Sequence, residues 1–187
     1  NAAGTYTSLT GCLMPKEVIN AYTYASNEYV GLNELQDAVG KKIAEMIGCE
    51  AAMVTAGAAS AMTLGTAAVL TGTDDDKAKR IPNDLTGMKD EVIVQESHVI
   101  GYSHAIKNCG IKLVVVKSRK ELINTINDKT AMLYFTNFAN KDGEVEDREF
   151  ARIGQEYGIP SLNDAAADTP PKKRLSMYID MGFDLVT

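Results

Sequence analysis

Runs of apolar residues spaced for helices alternate along this chain with short continuous apolar runs suited to buried strands. Residues 15–29 read as a helix with Pro15 in its first turn. Asn33 is placed to cap a second helix over residues 34–47, where Leu35, Val39, Ile43 and Met46/Ile47 share one face and Gly48 stops it. A strand is expected over 51–55, a small-residue helix over 58–70 closed by Gly72, and a polar surface excursion over 73–90. Strands follow at 91–95, 112–116, 131–136 and 159–162, and another begins at 184–186. Helices fall between them at 102–108, from Ser118 to about 126, at 148–157 and at 175–181. Ser118 and Glu121 have the spacing of a capping box, and Gly110 and Gly158 end their helices. Strands separated by helices of this length imply parallel crossovers: an α/β fold with a doubly wound, mainly parallel sheet in three αβα layers.

Composition narrows the picture. The 187 residues, 45% hydrophobic and 24% charged, suit one ordered domain with a sizeable core. A net charge of −6 argues against a broadly basic nucleic-acid surface, and no apolar run is long enough to cross a membrane. The chain opens at Asn1 with neither methionine nor leader-like residues, so it is read as beginning inside a longer protein. Three unpaired cysteines, Cys12, Cys49 and Cys109, fit reduced thiols and a cytoplasmic setting, the last two as small buried hydrophobes. Two histidines without cysteine spacing give no metal site.

Ligands in open α/β sheets gather at the carboxyl ends of strands, and three segments there carry candidate chemistry. Thr55-Ala56-Gly57-Ala58-Ala59-Ser60 joins a strand to a helix; its small residues and free N–H groups suit a phosphate, or simply a tightly packed start of a helix. His98, in Gln95-Glu96-Ser97-His98, could stack on a flat ring, shuttle protons, or hydrogen-bond structurally, with His104 the weaker candidate inside a helix. Asp164, in Asn163-Asp164-Ala165-Ala166-Ala167-Asp168, would need a partner to offset its desolvation at a buried strand end. A protonated ring nitrogen supplies one, while capping of the following turn is the plainer alternative.

In order and spacing these segments resemble the selenocysteine synthase–like branch of fold type I pyridoxal-phosphate enzymes. The likeness runs from Asn1-Ala2-Ala3-Gly4-Thr5 and Leu9-Thr10-Gly11 through Asn33-Glu34-Leu35-Gln36 and Gly48-Cys49-Glu50-Ala51-Ala52. It continues to Thr136-Asn137-Phe138 and the closing Gly182-Phe183-Asp184-Leu185-Val186-Thr187. The resemblance implies that residues 1–187 form most of a cofactor-binding large domain, with an active-site segment at 1–14 and a small C-terminal domain outside this chain. It implies pyridoxal phosphate as cofactor, with Asp164 on its pyridine nitrogen, Gly57, Ala58 and Ser60 at its phosphate, and His98 against its ring. Asn137 would lie near its 3-hydroxyl and Ala166 beneath it. Thr5, Tyr6 and Thr10 become substrate contacts, and the Schiff-base lysine is expected beyond Thr187.

Asp-Ala-Ala-Ala at residue 164, and Glu96-Ser97-His98 in place of an Arg-Gly-Glu type segment, depart from the enzymes that act on seryl-tRNA. The resemblance is therefore nearer to ammonia lyases of small amino-sugar acids. The expected reaction is elimination from a small amino acid or amino-sugar acid, initiated by α-proton abstraction. Selenium or sulfur transfer onto seryl-tRNA, and a non-catalytic assembly module, are the alternatives. The same resemblance implies a homodimer or larger homo-oligomer.

Overall fold

The computed structural model describes residue 9 and residues 11–187, in two compact units, Asn1–Val54 and Thr55–Thr187. In the first, helix α1 spans Lys16–Ala25 and α2 spans Leu32–Ile47. α1 stops short of the expected residue 29 and buries none of its side chains. α2 starts before the expected cap: Gly31 takes the N-cap, and Asn33 lies within the first turn. Its inward stripe is centred on Gly40 and Ala44, both buried, while Leu35 and Met46 point outward. The close approach at Gly40 decides this, because a Cβ there would stand 2.2 Å from the carbonyl oxygen of Ala52. Residues 51–54 therefore run along α2, where Gln36 Nε2 donates to Val54 O at 3.0 Å, and the strand expected at 51–55 does not form. A ladder needs a neighbouring strand, and this segment has a helix instead. Gly48 ends α2 in the left-handed region, φ +81°, as expected.

The second unit holds a sheet of five strands: β1 Glu91–Gln95, β2 Lys112–Val116, β3 Thr130–Thr136, β4 Ser161–Asp164 and β5 Leu185–Val186. Their order is β2-β1-β3-β4-β5 and every pairing is parallel. The helices are α3 Ala58–Thr71, α4 Asp75–Arg80, α5 His104–Lys107, α6 Arg119–Thr125, α7 Asp147–Tyr157 and α8 Arg174–Met181. One sheet face packs Val92, Val94, Met132, Tyr134 and Leu162 against α3 and α5. The other packs Ile93, Leu133 and Phe135 against α6, α7 and α8. This is the doubly wound, three-layer arrangement that the alternation of elements predicted.

Four local readings change. The polar excursion contains α4, held by Asp74, whose carboxylate accepts from the N–H groups of Asp76 (3.0 Å) and Lys77 (3.1 Å). It has acids in its first turn and bases in its last, so capping and dipole pairing replace an apolar stripe. The helix expected over 102–108 divides into a 3-10 turn, Gly101–Ser103, and the short α5. The capping box of α6 is displaced by a residue: Ser118 Oγ accepts from Glu121 N, but Glu121 Oε2 accepts from Lys117 N. Finally, β4 starts at Ser161 rather than 159. The Ile159 N–H is spent on Gly154 O at the end of α7, and Pro160 has none to give. The strand accordingly runs on to Asp164, placed opposite Thr136 of β3. Cys109 is buried, Cys49 only partly so, and Cys12 is exposed.

Candidate functional site

In strand order 2-1-3-4-5 the direction of winding reverses between β1 and β3, and that point opens a crevice at the carboxyl ends of the strands. The segments leaving β1, β3 and β4 there are Glu96–His98, Asn137–Asp142 and the turn after Asp164.

Asp164 is 7% exposed and has no ion-pair partner among the described residues. Its Oδ1 accepts the Ala166 N–H at 3.2 Å and lies 3.5 Å from Thr187 Oγ1. Burial pushes the carboxyl above its ordinary pKa, and the Ala166 N–H only partly offsets this. Asp164 thus does cap the following turn, and it is also a desolvated acid without a cation. Ala166 itself is exposed beside it.

Gly57 precedes α3 with φ +117° and ψ 171°, a conformation closed to side-chain-bearing residues. Thr55 Oγ1 donates to Gly57 O at 2.9 Å, and the first intrahelical bond is Ala61 N to Gly57 O. No side chain caps the helix, so the N–H groups of Ala58, Ala59 and Ser60 meet no acceptor among the described residues. A Cβ on Gly65 would lie 3.4 Å from Leu162 Cδ1. Ser60 is five residues before Gly65, about 7.5 Å of helix. Asp164 is two residues past Leu162, about 6.6 Å of strand. Thr63 Oγ1 also donates to Ala105 O (2.7 Å), in the first turn of α5 just beyond β1. The first turn of α3 and Asp164 therefore share one sheet face and its carboxyl end.

His98 does not face that side, which corrects the expectation that it stacks on a ligand ring. It is fully buried, with its ring centroid 4.3 Å from that of Phe135 on the opposite face. Nδ1 accepts the Thr136 N–H at 3.1 Å, so the neutral ring carries its proton on Nε2. Nε2 lies 3.3 Å from Gln95 Nε2, whose amide is oriented by two 2.8 Å bonds to Val145 N and O; this is a packing contact between donors. Desolvation lowers the His98 pKa to about 4. The exposed imidazole is His104, the weaker of the two candidates on sequence. Its Nδ1 stands 2.7 Å from the Gly101 carbonyl, which can only accept, so Nδ1 carries a proton and, in the neutral tautomer, Nε2 bears the lone pair. On either side of it in sequence, Ser103 meets the Tyr134 hydroxyl and Ala105 meets Thr63, which brackets His104 between β3 and α3.

Asn137, expected near a cofactor hydroxyl, directly follows β3 and is engaged within the protein. Its Nδ2 donates to Asp168 Oδ2 and to Tyr178 OH (2.7 Å), and its Oδ1 is buried without a partner. Tyr178 donates to the same Asp168 oxygen, and burial and that carboxylate raise its pKa. This clamp ties the loop after β4 to α8, and Arg174 adds a bond to Asp168 O at 2.8 Å. Tyr178 had no signal in sequence, since it reads as one more apolar position of a helix. Thr5, Tyr6 and Thr10, the expected substrate contacts, lie outside the described residues. Two grooves of about 310 and 640 Å³, one beside α7 and α8 and one along α2, contain none of the candidate residues. The site is an open ledge at the sheet's end. Among the described residues no cluster of His, Cys, Asp and Glu could hold a metal, and no helix is long and apolar enough to cross a membrane.

The chain has the fold of the fold type I pyridoxal-phosphate enzymes. Over 100% of its length it matches the structure of D-glucosaminate-6-phosphate ammonia lyase, with a TM-score of 0.89 and 27% identity, covering 52% of that chain. Curated relatives include the ammonia lyase of that name from Salmonella typhimurium, 27% identical over 197 residues. Another is a 5'-C-glycyluridine monooxygenase-decarboxylase from a Streptomyces species, 30% identical over 200 residues. The chain spans about half the length of these relatives, 52% and 49% respectively. An aspartate aminotransferase from Thermotoga maritima shares the fold at a TM-score of 0.53 and 21% identity, covering 82% of this chain and 43% of that one. No protein-family model matches the chain.

Proposed function

We propose that this chain supplies the cofactor ledge of a pyridoxal-phosphate-dependent enzyme that eliminates ammonia from a small amino acid or amino-sugar acid. The observation that carries the reading is Asp164: a nearly buried carboxylate at the end of a central strand, short of a cation, on the same face as a helix start with three free N–H groups. A cationic pyridinium offsets the desolvation of the acid, and a phosphate dianion suits the free N–H groups. The residues present fit the group at both poles. When bound, pyridoxal phosphate supplies an electron sink for negative charge at the substrate's α-carbon.

The chain's own residues then have distinct tasks. Asp164 holds the ring nitrogen protonated. Gly57, Ala58 and Ser60 orient the phosphate, and Ala166 leaves room beneath the ring. His104, in the role expected of His98, presents its free Nε2 at the rim. We place the protein in the cytoplasm as a homo-oligomer; the exposed Val18, Ile19 and Tyr22 on α1 favour a protein partner for that helix. The acidic charge of −6 favours a small-molecule substrate over tRNA.

The reading is tested by incubating the full-length protein with pyridoxal phosphate and D-glucosaminate 6-phosphate. Release of ammonia together with a 2-oxo acid is expected. No release from that compound or from other amino-sugar acids and β-hydroxy amino acids would reject the lyase.

A further inference from the structure

The parallel ladder between β1 and β3 runs from Glu91 opposite Thr130 to Val94 opposite Tyr134 and stops there. Beyond it, β1 turns into the 3-10 segment Glu96–His98, so Thr136 has no β1 carbonyl to meet. His98 replaces the missing strand. Its Nδ1 accepts the Thr136 N–H at 3.1 Å, and its carbonyl accepts the Thr136 hydroxyl at 3.1 Å. That hydroxyl has one proton, already given to the carbonyl, so Tyr134 OH, 2.9 Å away, must donate to Thr136. Burial pushes the Tyr134 phenol up to about 12, which keeps it a donor.

The imidazole has no freedom to leave this arrangement. Gln95 lies against its Nε2 edge and is itself held by both backbone groups of Val145. Gly143 closes over the pair, since a Cβ there would lie 2.7 Å from His98 Nε2 and 2.8 Å from Gln95 Nε2. On its other side Thr136 pairs in register with Asp164. One residue of β3 is thus held by His98 on one flank and sets the height of the unpaired acid on the other.

We infer that His98 is a positioning residue for Asp164: a buried latch of His98, Thr136 and Tyr134, braced by Gln95, fixes the carboxylate where a ring nitrogen must meet it. The inference rests on the proposed cofactor role of Asp164. It also gives the sequence motif at His98 a role that does not require the ring to touch a ligand.

The test compares two ligands, pyridoxal phosphate and its 1-deaza analogue with carbon in place of the ring nitrogen, titrated into the protein below the melting temperature of each variant. His98→Phe keeps the ring but loses the acceptor, whereas His98→Asn places an amide oxygen where Nδ1 stood. His98→Phe should weaken pyridoxal phosphate about tenfold, the scale of one misplaced hydrogen bond to a charged group. It should leave the deaza analogue nearly unchanged, and His98→Asn should restore much of the loss. Equal weakening of both ligands would show a merely structural residue and overturn the inference, as would no weakening of either. If His98→Phe fails to fold, Tyr134→Phe, which removes only the hydroxyl bonded to Thr136, is read by the same ligand difference. Asp164→Ala separates the two readings: if it penalises both ligands alike, the cofactor role of Asp164 fails first and the latch inference falls with it.

Discussion

Burial disfavours the charged form of two residues at the end of this sheet. Asp164 is buried without a cation and His98 is buried neutral, and each has a measurable consequence. Asp164→Ala should weaken pyridoxal phosphate by about tenfold to a hundredfold, the range for a charged hydrogen bond, and isothermal titration would show it. For His98 the folded-state pKa lies below the free value of 6.5, so the unfolded chain takes up the proton first as pH falls. Its full contribution is present above about pH 6.5 and is lost on acidification toward about pH 4, by up to about 3 kcal/mol. Asp164 works the other way: its folded-state carboxyl lies above its ordinary value, so the cost of burying its charged form is relieved as pH falls through that raised value. Urea unfolding of wild type and His98→Asn across this range isolates the histidine term; parallel pH profiles would refute it. Both residues stood out in the sequence, and for Asp164 its burial at a strand end was legible there as well. The face on which His98 lies depends on the 3-10 turn after β1, which no periodicity announces.

Elements bring these residues to one end of the sheet. Gly57 marks the start of α3 with a backbone angle that alanine reaches only with strain, so Gly57→Ala should cost about 1–3 kcal/mol. It should also reduce phosphate-dependent binding, which competition by inorganic phosphate would measure; an unchanged melting temperature and affinity would count against this role. Gly143→Ala sets a methyl 2.7 Å from His98 Nε2 and should destabilise the fold by about 1–3 kcal/mol through overpacking. Thermal unfolding reads it, and a variant as stable as wild type would show that the loop yields. Strands β1 and β3 were readable because their apolar runs are buried on both faces, and the edge strand β2 because its run Leu113–Val116 is apolar although Val115 is exposed. The start of β4 was not, because Ile159 belongs to the α7 terminus through its bond to Gly154. Residues 51–54 carry a strand-like composition yet lie along α2, with Gln36 bonded to Val54 where a neighbouring strand would be.

At the scale of the whole molecule, α1 has no buried side chain and displays Val18, Ile19, Tyr22 and Tyr24. Such an apolar stripe is costly to leave in water and fits association between copies. Light scattering after size exclusion should report a mass of at least two chains, falling when Ile19 and Tyr22 are both replaced by Asp. A monomer at micromolar concentration would refute the homo-oligomer. The sheet order 2-1-3-4-5 gives this protein one open crevice at the switch between β1 and β3, and the candidate groups come from four separate segments around it.

The sequence by itself determined the alternation of elements, the parallel doubly wound class, the small-residue glycine-bearing entry to α3 and the acid that ends β4. Each of these follows from local rules: burial on two faces, glycine's freedom, and the cost of an unpaired carboxylate. Tertiary structure decided which face each strand-end side chain takes and whom it meets. It sealed His98 behind Thr136, exposed His104, and committed Asn137 to Asp168 and Tyr178, residues 31 and 41 positions away. Those outcomes depend on how turns leave neighbouring strands, where one added residue rotates a side chain from crevice to core.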